Sequence, residues 1–381
     1  MHSLDTVIEY SVASTLNDLG DTYRVRREYQ LSEKSYREAL KFRKRLAKIN
    51  PKKYTSAIAE TLNGLATLYR EQNDYDNAVD CYREAIMIRR DLFREDMESY
   101  APVMAITINN LANLYKKYKK YKMAEIFYNE ALDIYRDLMI KDTDTYSVYM
   151  INVLDSLSNV YRKNNQFEKT RKSYIESLSI YKTLVISQPE VYKPKLSNVL
   201  TGLATLYFDV NKFEKAKEVY LLALELKVDL SKKEPRLYEQ DIAMILNNLG
   251  SIYGTQGDYN NAIDAYRSSL TRYITFAENR PMAYGHYVAT VFKNLAAVHV
   301  NQDQMEKARI FHAKSLDIYR SLSDYNLEAY NIELASSIID GVDYFGQHTI
   351  TLYEAESILN TYSWDSRAEN LLDIIADLRQ R

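Results

Sequence analysis

Asparagine recurs in this sequence at a fixed step, in segments whose other residues have helical spacing. Asn17, Asn63, Asn109, Asp155, Thr201, Asn247 and Lys293 lie 46 residues apart. The residues that follow them are Asp18, Gly64, Asn110, Ser156, Gly202, Asn248 and Asn294. One turn further come Asp21, Thr67, Asn113, Asn159, Thr205, Ser251 and Ala297. Asparagine disfavours helix interiors because its side chain competes for backbone hydrogen bonds. Two explanations fit. The carboxamides form a ladder of donors and acceptors for the backbone of a bound segment, or they bond to each other and to neighbouring turns. A basic series runs beside them. Arg24, Arg70, Lys116 and Arg162 share one slot, with Lys117 and Lys163 adjacent, and Phe208, Gly254 and Val300 replace them later. The first four units are therefore expected to favour an acidic partner segment through charge-assisted bonds. The alternative is a solvated basic face.

Other chemistry is sparse. The densest basic run, KKYKKYK at 116–122, interleaves lysine with tyrosine, a pattern that can bind single-stranded nucleic acid. Tyr115 and Tyr121 fall in periodic apolar slots, which leaves Tyr118 free, so nucleic-acid binding is the weakest reading. There is no Gly-rich phosphate loop, no H-E-x-x-H and no C-x-x-C. His299 and His312 continue tyrosine series, so packing explains them better than metal ligation. His2, His286 and His348 have no evident ligand cluster. Cys81 has no neighbour that clearly lowers its pKa. The expectation is a non-enzymatic protein with no metal and no cofactor.

The bulk properties agree. The 381 residues include 50 basic and 52 acidic side chains, a formal net charge of −2. A dedicated nucleic-acid binder usually has a strong basic excess. A single cysteine excludes an intramolecular disulfide and suits a reducing compartment. The first residues, MHSLDTVIEY, lack a basic segment followed by an apolar run, so no signal peptide is expected. No apolar run is long enough to span a bilayer. These readings point to the cytoplasm. The sequence opens almost directly in a helix, which is compatible with a natural protein that starts before Met1.

The element that positions these series is a 46-residue repeat. Tyr54, Tyr100, Tyr146, Tyr192, Tyr238, Tyr284 and Tyr330 keep its step, and so do Tyr36, Tyr82, Tyr128, Tyr174, Tyr220 and Tyr266. Leu19, Leu65, Leu111, Leu157, Leu203, Leu249 and Leu295 form an apolar series; Leu46, Leu92, Leu138, Leu184, Leu230, Phe276 and Leu322 form another. Internal periodicity of this length signals a stack of supersecondary units. Within the second unit, Leu62, Leu65, Ala66 and Tyr69 recur at helical spacing. EQND at 71–74 breaks the pattern, and a second apolar face runs through Tyr75, Ala78, Tyr82, Ala85 and Ile86. Small residues such as Ala66, Ala78 and Ala85 let two helices approach closely, and tyrosines fill the wider gaps. Pro51, Pro189, Pro235 and Pro281 share the slot that starts the next helix. Each unit is thus helix A, a short turn and a longer helix B, each helix roughly 19 to 21 residues and about 30 Å long.

The slots Leu62, Leu65, Ala66, Tyr69, Ala78, Tyr82 and Ala85 resemble the tetratricopeptide motif, lengthened by twelve residues per unit. Stretches such as TLNGLATLYREQNDYDNAVDCYREAIMIRRDL resemble the long repeats of kinesin light chains and their bacterial relatives. The resemblance covers residues 5–330. It implies an all-α fold, a right-handed α-solenoid of seven 46-residue hairpins at about 8–53, 54–99, 100–145, 146–191, 192–237, 238–283 and 284–330. Residues 331–381 read as a degenerate eighth repeat and C-terminal cap. There Gly341 occupies the leucine slot, Glu354 a small slot, and Trp364 is expected to pack. The resemblance also implies that helices A line a concave groove binding peptides or partner helices. The groove candidates are Asn17, Asn63, Arg70, Asn109, Asn110, Asn113, Lys116, Asn159, Arg162, Asn247, Asn248 and Asn294. The carboxylate-clamp pattern of chaperone-binding relatives is not reproduced, because Lys293 is not followed by asparagine one turn on. The expected function is an interaction scaffold. The alternatives are a regulatory or sensor segment of a larger signalling protein and, more weakly, nucleic-acid binding through the basic stripe. Self-association through exposed faces is also compatible.

Overall fold

The structure is a computed structural model that describes residues 2–346 and 349–380. His348 lies outside them. Among the described residues there are seventeen helices and no strand. They are α1 (His2–Val25), α2 (Tyr29–Ile49), α3 (Pro51–Glu71), α4 (Tyr75–Glu95), α5 (Met97–Lys117), α6 (Tyr121–Lys141), α7 (Thr143–Lys163) and α8 (Phe167–Ser187). There follow α9 (Pro189–Asp209), α10 (Phe213–Ser231), α11 (Pro235–Thr255), α12 (Tyr259–Asn279), α13 (Pro281–Asn301) and α14 (Met305–Tyr325). Last come α15 (Leu327–Phe345), α16 (Thr349–Asn360) and α17 (Ser366–Leu378). The fold is an all-α solenoid.

The chain divides into two compact units, 1–186 and 187–381. In the first, α1 packs on α2, α3 on α4 and α5 on α6, and each of α2, α4 and α6 packs on the helix that follows. In the second, α9 to α15 continue that order, and α15, α16 and α17 close on one another.

Two turn chemistries set the register. The A-to-B turns place Arg27, Asn73, Lys119, Asn165, Asn211, Gly257 and Asp303 at φ values from 55° to 76°. Asp74 N donates to Tyr69 O at 2.8 Å and Asn73 N to Arg70 O at 3.3 Å, the paired bonds of a left-handed helix stop. Asparagine and glycine adopt that conformation at least cost, which accounts for Asn73, Asn165, Asn211 and Gly257. The B-to-A turns leave one residue between helices, except after α10, where three residues precede Pro235. Pro51, Pro189, Pro235 and Pro281 each take the first position of a helix A, where no hydrogen bond is lost.

Tyrosine dominates the core. Tyr36, Tyr82, Tyr128 and Tyr220 are fully buried, as are Ala39, Ala78, Ala85, Ala124 and Ala131. The Tyr36 ring is so close to the α1 and α3 backbones that a Cβ at Gly20 would lie 2.6 Å from it and one at Gly64 2.7 Å. The same reason explains Gly341 in a leucine slot: a Cβ there would lie 2.6 Å from the His312 ring. Two expectations are corrected. Leu19 is 38% exposed, although Leu65 to Leu295 in its series are buried, because α1 packs on α2 and α3, whereas α3 and α5 are also packed by the hairpin before them. Trp364 is 74% exposed, because it sits in the turn between α16 and α17 while Tyr362 takes the buried position beside it.

Candidate functional site: the helix A face

In the first unit the helices A touch directly, α1 with α3, α3 with α5 and α5 with α7. Its helices B are bridged by long ion pairs: Lys44–Glu84 at 3.0 Å, Arg90–Glu130 at 2.6 Å and Arg136–Glu176 at 2.9 Å. The helix A side is therefore the more closely packed one, and its polar side chains stand within reach of one another from repeat to repeat.

One of the three polar series belongs largely to the core. The Tyr36 hydroxyl donates to Asp21 at 2.8 Å, Tyr128 to Asn113 at 2.6 Å and Tyr266 to Ser251 at 3.0 Å. Tyr82 shares a bond with Thr67 at 3.1 Å, and Tyr220 with Thr205 at 3.0 Å. A buried phenol needs such a partner. Where the tyrosine becomes His312, the partner slot becomes Ala297. Burial pushes these phenols upward in pKa, Tyr266 to about 12.

The remaining carboxamides divide. Asn17 is 5% exposed and accepts from Arg43 at 3.4 Å, inside the α1–α3 packing. Asn109 is half-buried, and its Oδ1 is buried without a partner. Asn248 donates to the Tyr220 hydroxyl at 2.8 Å, and Asn159, exposed, donates to the carbonyl of Asp155 at 3.1 Å. Two pairs bridge successive helices A: Asn110 donates to Asn63 at 3.4 Å, and Asn294 to Asn247 at 3.0 Å.

The basic stripe narrows. Arg24 is paired with Glu71 at 2.7 Å. Lys116 donates to Ser156 at 3.0 Å, and burial lowers its pKa. The guanidinium groups of Arg70, half-buried, and Arg162, exposed, have no hydrogen bond or ion pair among the described residues. The lysine–tyrosine run is stitched to the preceding turn. Lys117 donates to Asn73 at 2.6 Å, and Lys120 to the Tyr75 hydroxyl at 2.8 Å. Tyr118, expected to be free, packs its ring 4.7 Å from Tyr75 and donates to Asn73 O at 2.9 Å. It is not an open platform for a base.

A further series escaped the sequence reading. Arg43, Arg89, Tyr135, Tyr181, Lys227, Tyr273 and Tyr319 keep the 46-residue step on helix B, and all are buried. Each side chain meets what the neighbouring helices A offer. Arg43 donates to Ala57 O at 2.6 Å and Thr61 at 2.7 Å, and Arg89 to Val103 O at 2.7 Å and to Thr107. Tyr135 stacks on Tyr149 at 5.6 Å, and Tyr273 on Tyr287 at 4.9 Å. Lys227 donates to Asp241 at 2.7 Å and Asn198 at 2.8 Å. Charged residues recurring on an apolar helix face were the available signal.

Histidine and cysteine take packing roles. His299 is 2% exposed and stacks on Phe311 at 5.4 Å. Burial lowers its pKa. Burial, with Glu84 and Asp80 nearby, pushes the Cys81 thiol up to about 11, against an ordinary value of about 8.5. Its alkylation rate by iodoacetamide is expected to rise through a midpoint near 11. A midpoint near that of free cysteine, with the fold intact by circular dichroism, would contradict this burial. Among the described residues no group of three or more His, Cys, Asp or Glu could hold a metal ion, and no helix is long and apolar enough to cross a membrane.

Family models described as tetratricopeptide repeat match residues 11–91, 104–139, 197–227 and 244–273. These segments are tetratricopeptide repeats. Among solved structures, this chain is similar to the apo form of RapI at 14% identity and a TM-score of 0.59, covering 97% of each chain. It is similar to aspartyl phosphate phosphatase F from Bacillus subtilis at 14% identity and a TM-score of 0.51, covering 98% of this chain and 94% of that one. A kinesin-light-chain-like protein with nearly identical TPR-like repeats from Podosopora anserina is similar over 59% of this chain and 98% of its own, at 14% identity and a TM-score of 0.42. These likenesses concern the fold. Comparison with curated proteins finds no significant match.

Proposed function

We propose that this protein is a non-enzymatic interaction module whose helix A face, in the first unit, binds an extended partner segment carrying acidic side chains. The observation that carries the reading is the Asn63–Asn110 pair, bridging two helices A at 3.4 Å, with Arg70 and Arg162 unpaired on the same series of helices. A carboxamide pair uses one N–H and one lone pair, and each amide retains a further donor or acceptor. Both asparagines are only half-buried. A backbone laid along them gains hydrogen bonds without side-chain specificity, and the guanidinium groups add charge-assisted bonds to carboxylates. Asn17 and Asn113 fall outside this surface, since Arg43 and Tyr128 engage them.

The test is fluorescence anisotropy with a degenerate peptide library in which every third residue is Asp or Glu. Each charge-assisted bond contributes about 1.5–3 kcal/mol, so Arg70→Glu with Arg162→Glu is expected to weaken binding at least about tenfold. Asn63→Ala with Asn110→Ala is expected to weaken acidic and neutral libraries alike. Unchanged affinity in both variants, with the helical content of the parent, would overturn the proposal.

A further inference from the structure

The repeat supplies its own reference for a carboxylate slot whose facing residue is tyrosine in place of lysine. In the fifth repeat the buried Lys227 ammonium sits between Asp241 at 2.7 Å and Asn198 at 2.8 Å. Two repeats later the same slots hold Tyr319, Glu333 and Thr290. Tyr319 bonds Thr290 at 2.9 Å, and among the described residues no lysine hydrogen-bonds the Glu333 carboxylate. Glu333 accepts from Arg367 at 3.1 Å through Oε1, while its Oε2 is buried and has no partner. Ser337, in the slot where Thr61 and Thr107 accept from Arg43 and Arg89, likewise has a buried Oγ with no partner. A buried acceptor left unpaired is costly, and native structures usually supply its donor.

Here the donor can come from outside. Glu333, Tyr319, Lys293 and Ser336 line a cleft of about 340 Å³ closed on one side by α17 through Arg367 and Leu371, within the volume range of small-ligand sites. The two cations at its rim are already neutralised: Lys293 pairs with Asp340 at 2.7 Å, and Arg367 with Asp365 at 2.7 Å. With Glu333 the set holds two cations and three carboxylates, one net negative charge. Buried Tyr319 and Ile332 give the floor an apolar surface suited to an alkyl stem.

We propose that this cleft binds a primary alkylammonium group, seated on the Glu333 carboxylate, whose side chain is 36% exposed, as Lys227 is seated on Asp241. The group comes from a lysine side chain or the free N-terminus of a partner peptide. The site is separate from the Asn63–Asn110 surface, so either reading can fail alone.

The experiment is calorimetric titration of the full chain with three probes: Nα-acetyl-lysine-N-methylamide, glycine-N-methylamide, and Nα,Nε-diacetyl-lysine-N-methylamide. At least one amine is expected to bind and the diacetylated probe not. Preference for the lysine probe assigns a side chain, and preference for the glycine probe assigns a peptide N-terminus. Glu333→Gln is expected to weaken the amine at least tenfold. Tyr319→Lys, which restores the fifth-repeat arrangement, is expected to abolish binding by filling the site internally. Equal affinity in Glu333→Gln, equal binding of the diacetylated probe, or no heat from either amine overturns the proposal.

Discussion

Replacing Arg43 with alanine is expected to cost about 3–5 kcal/mol of stability, concentrated in α1 to α3. Arg43 is 3% exposed, and its Nη1 serves Ala57 O, Thr61 Oγ1 and Glu60 at 2.6, 2.7 and 2.9 Å. Truncation withdraws the donor from buried acceptors, each worth about 1–3 kcal/mol when orphaned, and empties the space of the alkyl stem. Glu60 is 60% exposed at its side chain, so water compensates that contact. Arg43→Met separates the two terms: it keeps the stem and removes only the donor, so its loss is expected to be smaller by about 1–2 kcal/mol. Repeat stacks unfold as neighbour-coupled units. Hydrogen exchange of the α1–α3 amides is therefore the measurement, with urea unfolding beside it. A loss below about 1 kcal/mol would place Arg43 among surface residues.

Tyr82→Ala is expected to cost a further class of energy, about 3–5 kcal/mol from the cavity left by a fully buried ring. Tyr82→Phe removes only the 3.1 Å contact with Thr67. Thr67 keeps its 2.9 Å bond to Asn63 O, so the Phe variant is expected to lose about 1 kcal/mol. Urea midpoints at constant slope measure both. Equal losses in the two variants would mean that the hydroxyl, and not the ring volume, holds the hairpin.

The stacked hairpins were legible in the sequence because one physical requirement, burying the same face seven times, leaves residues of one type at one step. Tyr36 and its series could be read as core without coordinates. Their partners could not be separated from a binding surface, because Asp21, Thr67 and Asn113 look equally suited to a ligand and to a phenol in the same hairpin. Only the joint change to His312 and Ala297 betrays the pairing. Arg43, Arg89 and Lys227 escaped notice for the opposite reason: a charge on an apolar face reads as an exception until a second helix is seen to satisfy it. Leu19 obeys the repeat in type but not in environment, since a slot is buried only if a neighbour covers it. Trp364 shows the limit of composition, because a large apolar residue next to a cap helix can lie in its turn.

The central claim is that partners meet helices A rather than helices B. A photo-crosslinking amino acid placed at Asn159, exposed on α7, and in a second protein at Met87, 67% exposed on α4, tests it in one gel. The account predicts partner-sized adducts from position 159 and none from position 87. Adducts from position 87 alone would contradict it.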